Sequence, residues 1–156
     1  MRLYVAGSSS SGNCYLLYDE REILILECGV PFKNINGLPF FDLEKVVGCV
    51  ISHEHGDHAG RMNEFLDYGV DCLASSGTIS SLSFTSKRLP LMIEEGVTVM
   101  AGAFSIVPFK IAHDANEPLG FLIDHPDTGP ILFATDTYML YYRFPNLRHV
   151  MIECNY

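Results

Sequence analysis

A run of six residues, His53-Glu54-His55-Gly56-Asp57-His58, contains three of the chain's six histidines and an aspartate. The apolar, β-branched residues 46–52 before it predict a buried strand, so these side chains follow a strand end. In extended backbone the first two histidines and the aspartate would point to one side, while His58 would begin a helix. Imidazole and carboxylate groups are ligands of Zn, Mn or Fe. The run therefore predicts a metal site; the alternative is a polar surface turn rich in histidine.

The spacing His-x-His-x-Asp-His resembles the signature of the metallo-β-lactamase superfamily. The family has a further histidine at the end of a downstream strand, where this chain has His113 after residues 104–112. It also has an aspartate after a later apolar strand, where this chain has Asp136 after residues 131–135. The resemblance runs from about residue 3 to the last residue. It implies an α/β (α+β) fold, the αββα sandwich of that family.

The same resemblance implies two divalent metal ions, zinc or manganese. The ligands that it implies are His53, His55 and His113 for one ion, Asp57 and His58 for the second, and Asp136 as a bridge between them. Two such ions lower the pKa of a shared water, so the implied nucleophile is a metal-bound hydroxide and no serine or cysteine nucleophile is needed. Asp57 would also act in catalysis by orienting that hydroxide.

Four shorter motifs resemble a narrower branch, the YycJ/WalJ-like proteins, which are regarded as metal-dependent, nuclease-like phosphodiesterases. They are residues 7–13 (Gly-Ser-Ser-Ser-Ser-Gly-Asn), 113–115 (His-Asp-Ala), 118–121 (Pro-Leu-Gly-Phe) and 135–137 (Thr-Asp-Thr). The function implied is a metal-dependent hydrolase that acts as a phosphodiesterase or nuclease, with DNA as the expected substrate. Two alternatives stay open: hydrolysis of a lactam, lactone or thioester, and a metal-binding fragment without activity.

The serine-rich turn offers candidate substrate contacts, because hydroxyl and amide groups can donate hydrogen bonds to a phosphate. These candidates are Ser8, Ser9, Ser10, Ser11 and Asn13. The alternative is a flexible turn. Asp114, next to His113, is a candidate to orient a neighbouring ligand, and the alternative is a surface carboxylate.

Two departures from the family pattern bear on metal binding. Glu27 stands where the family has an aspartate that supports the metal loop from outside the ligand set, and such outer contacts affect metal affinity strongly. The family also supplies a further histidine in its last third, where this chain has only His149. We therefore expect residues 1–156 to form a single metallo-β-lactamase-like domain that lacks its usual C-terminal third. Two metal ions are expected in a complete protein, and one ion or none is the alternative for this chain. A sheet edge would then be open to self-association.

Composition predicts a globular protein, since 48% of the residues are hydrophobic and 19% are charged. A length of 156 residues suffices for one core. No apolar run approaches the roughly 20 residues of a membrane span. The first residues lack the apolar core of a signal peptide, so a cytoplasmic protein is expected. The five scattered cysteines are expected to be buried reduced thiols; they lie at positions 14, 28, 49, 72 and 154.

The net charge of −9 argues against broad, sequence-independent binding of nucleic acid, which depends on a basic surface. Divalent ions at the site would reverse the local field, so a phosphodiester could be held there without a basic exterior. The only adjacent basic pair, Lys87-Arg88, is expected in a solvated loop.

Apolar periodicity and turn residues predict a strand-rich α/β order. Strands are expected at residues 2–6, 14–18, 22–27, 46–52, 70–74, 97–101, 104–111, 119–124, 130–134 and 147–153. Helices are expected at 59–68 and 77–83, and residues 31–45 are expected to be irregular with a helical turn. His125 is expected at the surface, in the hairpin before Asp127-Thr128-Gly129.

Overall fold

The computed structural model describes residues 1–153, which form two stacked β-sheets with helices on one side. The first sheet has the strand order β1-β2-β3-β4-β5-β6, and the second has the order β11-β10-β9-β8-β7. The first sheet contains β1 Arg2–Gly7, β2 Cys14–Tyr18, β3 Ile23–Leu26, β4 Val46–Val50, β5 Cys72–Ala74 and β6 Leu91–Met92. The second contains β7 Val99–Ala101, β8 Phe104–Lys110, β9 Leu119–Asp124, β10 Ile131–Ala134 and β11 His149–Ile152.

The core lies between the two sheets because side chains alternate along each strand. Leu24 and Leu26 of β3 face Phe121 and Phe133 of the second sheet, all of them buried. The intervening residues of the first sheet, such as Ile25, face the helices. The four helices are α1 Lys33–Asn36, α2 Gly56–Ala59, α3 Met62–Asp67 and α4 Ser76–Ser80.

The outer face of the second sheet is covered differently. Phe109 and Leu132 lie there against Phe144 and Leu147, which belong to an irregular segment between β10 and β11. The described residues thus contain the two sheets and one helical layer of the predicted αββα sandwich. No helix of residues 1–153 is both long and apolar enough to cross a membrane.

Each predicted strand has a counterpart, but β6 was not predicted because it has only two residues, both exposed. The predicted helix at 59–68 is wrong in its start and in its continuity. Helix α2 already begins at Gly56, because the backbone N–H groups of His58 and Ala59 both donate to the carbonyl of His55. The helix is interrupted after α2, because the N–H of Arg61 donates to the carbonyl of Cys28 instead of to a carbonyl of the preceding turn.

The surface position predicted for His125 is also wrong, because this side chain is only 1% exposed. Its Nε2 lies 2.9 Å from Glu22 Oε1, and its Nδ1 accepts a hydrogen bond from the backbone N–H of Asp127. The other oxygen of Glu22 accepts from the N–H of Ala103. The partner that draws His125 inward is therefore 103 positions away in the chain, and local sequence does not reveal it.

Strands β1 and β11 form edges of their sheets, and both are largely exposed. Leu3 and Val5 on β1, with Val150 and Ile152 on β11, are each 44–56% exposed. The two strands border a common cavity of about 410 Å³. Cys14, Cys28, Cys49 and Cys72 are buried free thiols, as expected; Cys154 lies outside the described residues.

Backbone hydrogen bonds fasten the loop that carries the histidine cluster to two segments of the first sheet. The N–H of Asn13 donates to the carbonyl of Asp57 at 2.7 Å, and the N–H of Cys28 donates to the carbonyl of His58 at 2.8 Å. Gly29 joins the two segments by donating to the carbonyl of Asn13. A Cβ atom at position 29 would lie 1.7 Å from the Asp57 carbonyl oxygen, so this close approach requires glycine.

We predict that Gly29→Ala lowers the free energy of unfolding by at least about 2 kcal/mol, because the added methyl group meets backbone on two sides. Chemical denaturation measures the loss. Gly37→Ala is the matched control, since the nearest atom to its new Cβ is 3.8 Å away, and it should change stability by less than about 0.5 kcal/mol. Equal stability of the two variants would contradict this account of the loop.

Candidate metal centre

Strand ends from both sheets bring the predicted ligands to one end of the sandwich. His53 and His55 follow β4, and α2 then turns Asp57 and His58 back toward them. Strands β8 and β10 are both antiparallel to β9, so they run the same way and end at the same edge. His113 follows the first of these strands and Asp136 the second.

The first group of donors contains His53, His55, His113 and Asp136, whose ligand atoms lie within 4.8 Å of one another. His113 Nε2 is 3.2 Å from His55 Nδ1 and 3.9 Å from Asp136 Oδ2. His53 Nε2 is 3.5 Å from the same carboxylate oxygen. Three imidazoles and one carboxylate thus face one small volume.

The second group contains Asp57, His58 and Asp136, again within 4.8 Å. His58 Nε2 lies 2.8 Å from Asp136 Oδ2 and 3.4 Å from Asp57 Oδ2. Asp136 therefore belongs to both groups, with a single oxygen within 3.9 Å of three imidazoles. The structure brings together all six residues that the sequence predicted as ligands. It does so with Asp57 in a helical turn and not in the extended run that the sequence suggested.

Two outer residues fix the buried imidazoles. Ser52 Oγ lies 2.8 Å from His53 Nδ1, and in the tautomer in which Nδ1 donates this hydrogen bond, Nε2 keeps its lone pair toward the cluster. Glu27 is completely buried; its Oε2 accepts from the N–H of Ser52, and its Oε1 is 3.6 Å from His58 Nδ1. Glu27 thus stands outside the two groups, against a candidate ligand.

Backbone strain coincides with this site. Glu27 and Asp136 both have positive φ, 66° and 48°, in the left-handed region that residues other than glycine seldom adopt. Such conformations cost of the order of 1–3 kcal/mol and persist where the surrounding structure fixes them. The contacts of both carboxylates with the imidazoles provide that constraint.

The two buried histidines have opposite electrostatic environments. Burial, together with the neighbouring imidazoles of His58, His113 and His55, lowers the pKa of His53 to about 3. Burial also acts to lower the pKa of His58, but the carboxylates of Glu27, Asp57 and Asp136 outweigh it and raise that pKa to about 9. At neutral pH His53 is therefore neutral and His58 carries a proton, which a cation at its Nε2 would have to displace.

Glu153 is a neighbour of Asp136 that was not predicted from the sequence. Burial and the nearby Asp136 carboxylate raise the pKa of Glu153, while the pKa of Asp136 is lowered, against its burial, by His58 and by a hydrogen bond from Glu153. Strands β10 and β11 are parallel, with Ala134 opposite Ile152. The residues that follow the two strands therefore lie side by side, a proximity that depends on the pairing of the strands.

The donor set fits a divalent cation. His53 Nε2 is buried without a hydrogen-bond partner among the described residues, and an unsatisfied buried polar atom costs about 1–3 kcal/mol. A cation between the imidazoles would accept that lone pair. Nitrogen and carboxylate oxygen donors in this mixture suit Zn or Mn.

The remaining predicted residues have mixed outcomes. Asn13 is buried, with its Nδ2 3.3 Å from Asp57 Oδ2 and 3.2 Å from His58 Nε2. The candidate serines are all exposed: Ser8, Ser9, Ser10 and Ser11. The hydroxyl of Tyr15 donates a hydrogen bond to Ser8 Oγ, and the backbone N–H of Ser11 donates one to Ser9 Oγ. Asp114 and His149 are exposed and belong to neither group.

A third group, Asp19, His125 and Asp127, is also compact but is explained by its own contacts. Both ring nitrogens of His125 already have protein partners, and Arg21 pairs with both aspartates. Burial acts to raise the pKa of Asp19, but hydrogen bonds from Arg21 and Glu22 lower it to about 2.

A separate cavity of about 760 Å³ lies beside β1 and residues 39–45. None of the metal-centre residues lines this cavity.

Solved structures share this fold at low sequence identity. A metallo-beta-lactamase with a HARLDQ motif from Cronobacter sakazakii superposes with a TM-score of 0.70 and 16% identity, covering 94% of this chain and 64% of that one. YhfI from Bacillus subtilis, a metallo-beta-lactamase fold protein, has a TM-score of 0.66 and 16% identity, covering 86% and 61%. These matches show the fold.

The curated relatives include exodeoxyribonuclease WalJ of Streptococcus pneumoniae, which is 28% identical over 145 residues. The match covers 85% of this chain and 53% of the relative, so the chain spans about half the length of the curated relatives it matches. The model of the metallo-beta-lactamase superfamily matches residues 9–137, a range that includes both groups of donors. With that match and with the two sheets, the chain belongs to the metallo-beta-lactamase superfamily.

Proposed function

We propose that this protein is a metal-dependent phosphodiesterase that cleaves nucleic acid, with DNA as the substrate. The observation that carries the proposal is the pair of donor groups that share Asp136 at the end of the sandwich. The likeness to exodeoxyribonuclease WalJ supports the choice of a nuclease within the superfamily.

In this proposal His53, His55 and His113 would hold one divalent ion, zinc or manganese, and Asp57 and His58 would hold the second; Asp136 belongs to both groups of donors. Two bound divalent ions supply Lewis acidity that lowers the pKa of water and stabilises negative charge on a phosphoryl group. Ser52 and Glu27 keep the rings of His53 and His58 in position from outside.

We assign Asp57 the role of proton acceptor in the reaction. Its carboxylate is 28% exposed, so it reaches both the cluster and the solvent, whereas His53 and His58 are fully buried. The amide of Asn13 and the ring of His58 both lie next to the same oxygen of the Asp57 carboxylate, at 3.3 Å and 3.4 Å. This carboxylate can accept a proton from an attacking water, whose remaining oxygen lone pair it orients toward phosphorus.

A single metallo-β-lactamase-like domain in the cytoplasm is the setting that we propose. The four described cysteines are buried thiols, and burial raises the pKa of Cys14 well above its usual value, which keeps that thiol protonated. Free buried thiols are typical of proteins in reducing compartments.

Metal binding tests the ligand assignment. We expect zinc or manganese added to metal-free protein to fill the three-histidine group first, because the pKa of its His53 is lowered to about 3, whereas His58 of the second group has a pKa raised to about 9 and must lose a proton. His53→Ala and His55→Ala should each reduce affinity by more than the about 10- to 100-fold that loss of an outer partner costs. Metal analysis after dialysis gives the stoichiometry, with the exposed His149→Ala as control. Unchanged metal content in both cluster variants would refute the assignment.

Activity tests the function. We expect cleavage of single- or double-stranded DNA with manganese, and a loss of at least about 100-fold in kcat for Asp57→Asn, which removes the proton acceptor. Asp67→Asn, at the exposed end of α3, is the control and should cleave normally. A chromogenic lactam and a thioester are assayed in parallel. Turnover of either without DNA cleavage would reassign the substrate class, and no turnover with both metals bound would leave a binding role.

We also propose that the protein self-associates through the exposed edges of β1 and β11. Both edges carry apolar side chains that gain free energy on burial, about 25 cal/mol per Å². We expect light scattering at high concentration to give a mass above that of the monomer. Val150→Lys should restore the monomer by placing a charge on the edge, and a clean monomer of the unaltered chain would contradict the idea.

A further inference from the structure

Exposed aromatic side chains are concentrated in one short stretch beside the metal centre. Tyr138, Tyr141 and Tyr142 are 81%, 52% and 46% exposed, and they are three of the chain's eight tyrosines. Met139 between them is 54% exposed. We call these four residues the tyrosine patch. A continuous exposed patch of this kind marks an interaction surface, unlike single scattered apolar residues.

The backbone holds the start of the patch against the strand end that carries His113. The N–H of Tyr138 donates to the carbonyl of Ala112 at 2.8 Å, and Leu140 forms an antiparallel bridge with Ile111. Thr137 adds a side-chain contact by accepting from the N–H of Ala112. The orientation of the patch is therefore fixed relative to the metal centre.

Two of the three tyrosine rings lie close to His113 of the metal centre. The Tyr138 ring centroid is 6.1 Å from that of His113. Tyr141 and His113 line the same cavity of about 440 Å³, a volume within the usual range for small-molecule sites. Tyr142 is anchored differently, since its hydroxyl bonds Glu95 and its ring contacts Phe109. Tyr138 and Tyr141 are thus the two rings available to a ligand.

We propose that Tyr138 and Tyr141 stack on the bases of a single-stranded nucleic acid whose phosphate lies at the metal centre. This inference rests on the proposed function and names the group that the protein recognises. Stacking on aromatic rings tolerates any base and does not depend on charge.

The charge of the protein favours bases over phosphates as the main contact. The net charge is −9, and cations such as Arg21 and Arg88 are already paired with aspartates. Attraction of the phosphate backbone outside the metal centre is therefore weak. Tyrosine offers a ring face for stacking and a hydroxyl that remains in water, which suits an open binding surface.

The experiment compares two probes of equal length and charge: a fluorescein-labelled oligothymidylate and an abasic oligomer, both with phosphorothioate links that resist cleavage. Fluorescence anisotropy in the presence of manganese gives Kd for each. The unaltered protein should bind the oligothymidylate about 5- to 150-fold more tightly for each stacked base. Tyr138→Ala and Tyr141→Ala should each lose that factor with the oligothymidylate and keep the same Kd for the abasic probe. Tyr138→Phe should retain stacking, and Leu89→Ala, exposed but outside the patch, is the control.

The outcomes separate this inference from the proposed nuclease activity. Cleavage of DNA with no preference for bases over the abasic probe would overturn the stacking role and leave the nuclease in place. Base preference that depends on the two tyrosines would support stacking even if no phosphodiester is cleaved. Tyrosine variants that alter only self-association or stability, with unchanged Kd for the oligothymidylate, would assign the patch to a protein contact and overturn the inference.

Discussion

One carboxylate oxygen, Asp136 Oδ2, lies 2.8 Å, 3.5 Å and 3.9 Å from the imidazoles of His58, His53 and His113. Most of the structure around the site serves to bring these groups together. Imidazole lone pairs that face one another repel, and a buried carboxylate is costly unless it is paired. A divalent cation satisfies both kinds of group at once, so the cluster is best explained as a site built for positive charge. Positive φ at Asp136 and Glu27 is consistent with the strain that such a site tolerates.

The supports of the cluster come from several parts of the chain, and each acts on a different atom. Ser52 Oγ lies 2.8 Å from Nδ1 of His53, a Glu27 carboxylate oxygen lies 3.6 Å from Nδ1 of His58, and the Asn13 amide contacts the Asp57 carboxylate. Gly29 permits the close approach that holds the loop. Residues that contact the metal ligands without binding the metal set the orientation of those ligands and the affinity for the metal. The Glu27 carboxylate accepts a hydrogen bond from the Ser52 N–H with one oxygen, and its other oxygen lies 3.6 Å from His58 Nδ1.

The sequence predicted the strands and the candidate ligands because both leave local signals. Uninterrupted apolar runs mark β3 and β10, which are buried at every position, and the ligand residues follow strand ends in the spacing of a known family signature. The helical turn at Asp57 was missed because it depends on contacts with Cys28 and Asn13, which are far away in sequence. His125 was misplaced for the same reason, since its partner is Glu22. Glu153 was missed although parallel pairing of β10 and β11 brings it beside Asp136, because pairing between strands cannot be read from either strand alone.

The most direct test of the account is a crystal structure of protein soaked in zinc or manganese, with anomalous difference maps recorded at the absorption edge of the metal. The account predicts two peaks, one among His53, His55 and His113 and one between Asp57 and His58, each also next to Asp136. A peak at Asp19, His125 and Asp127 instead, or no peak at either group of donors in metal-saturated crystals, would contradict it.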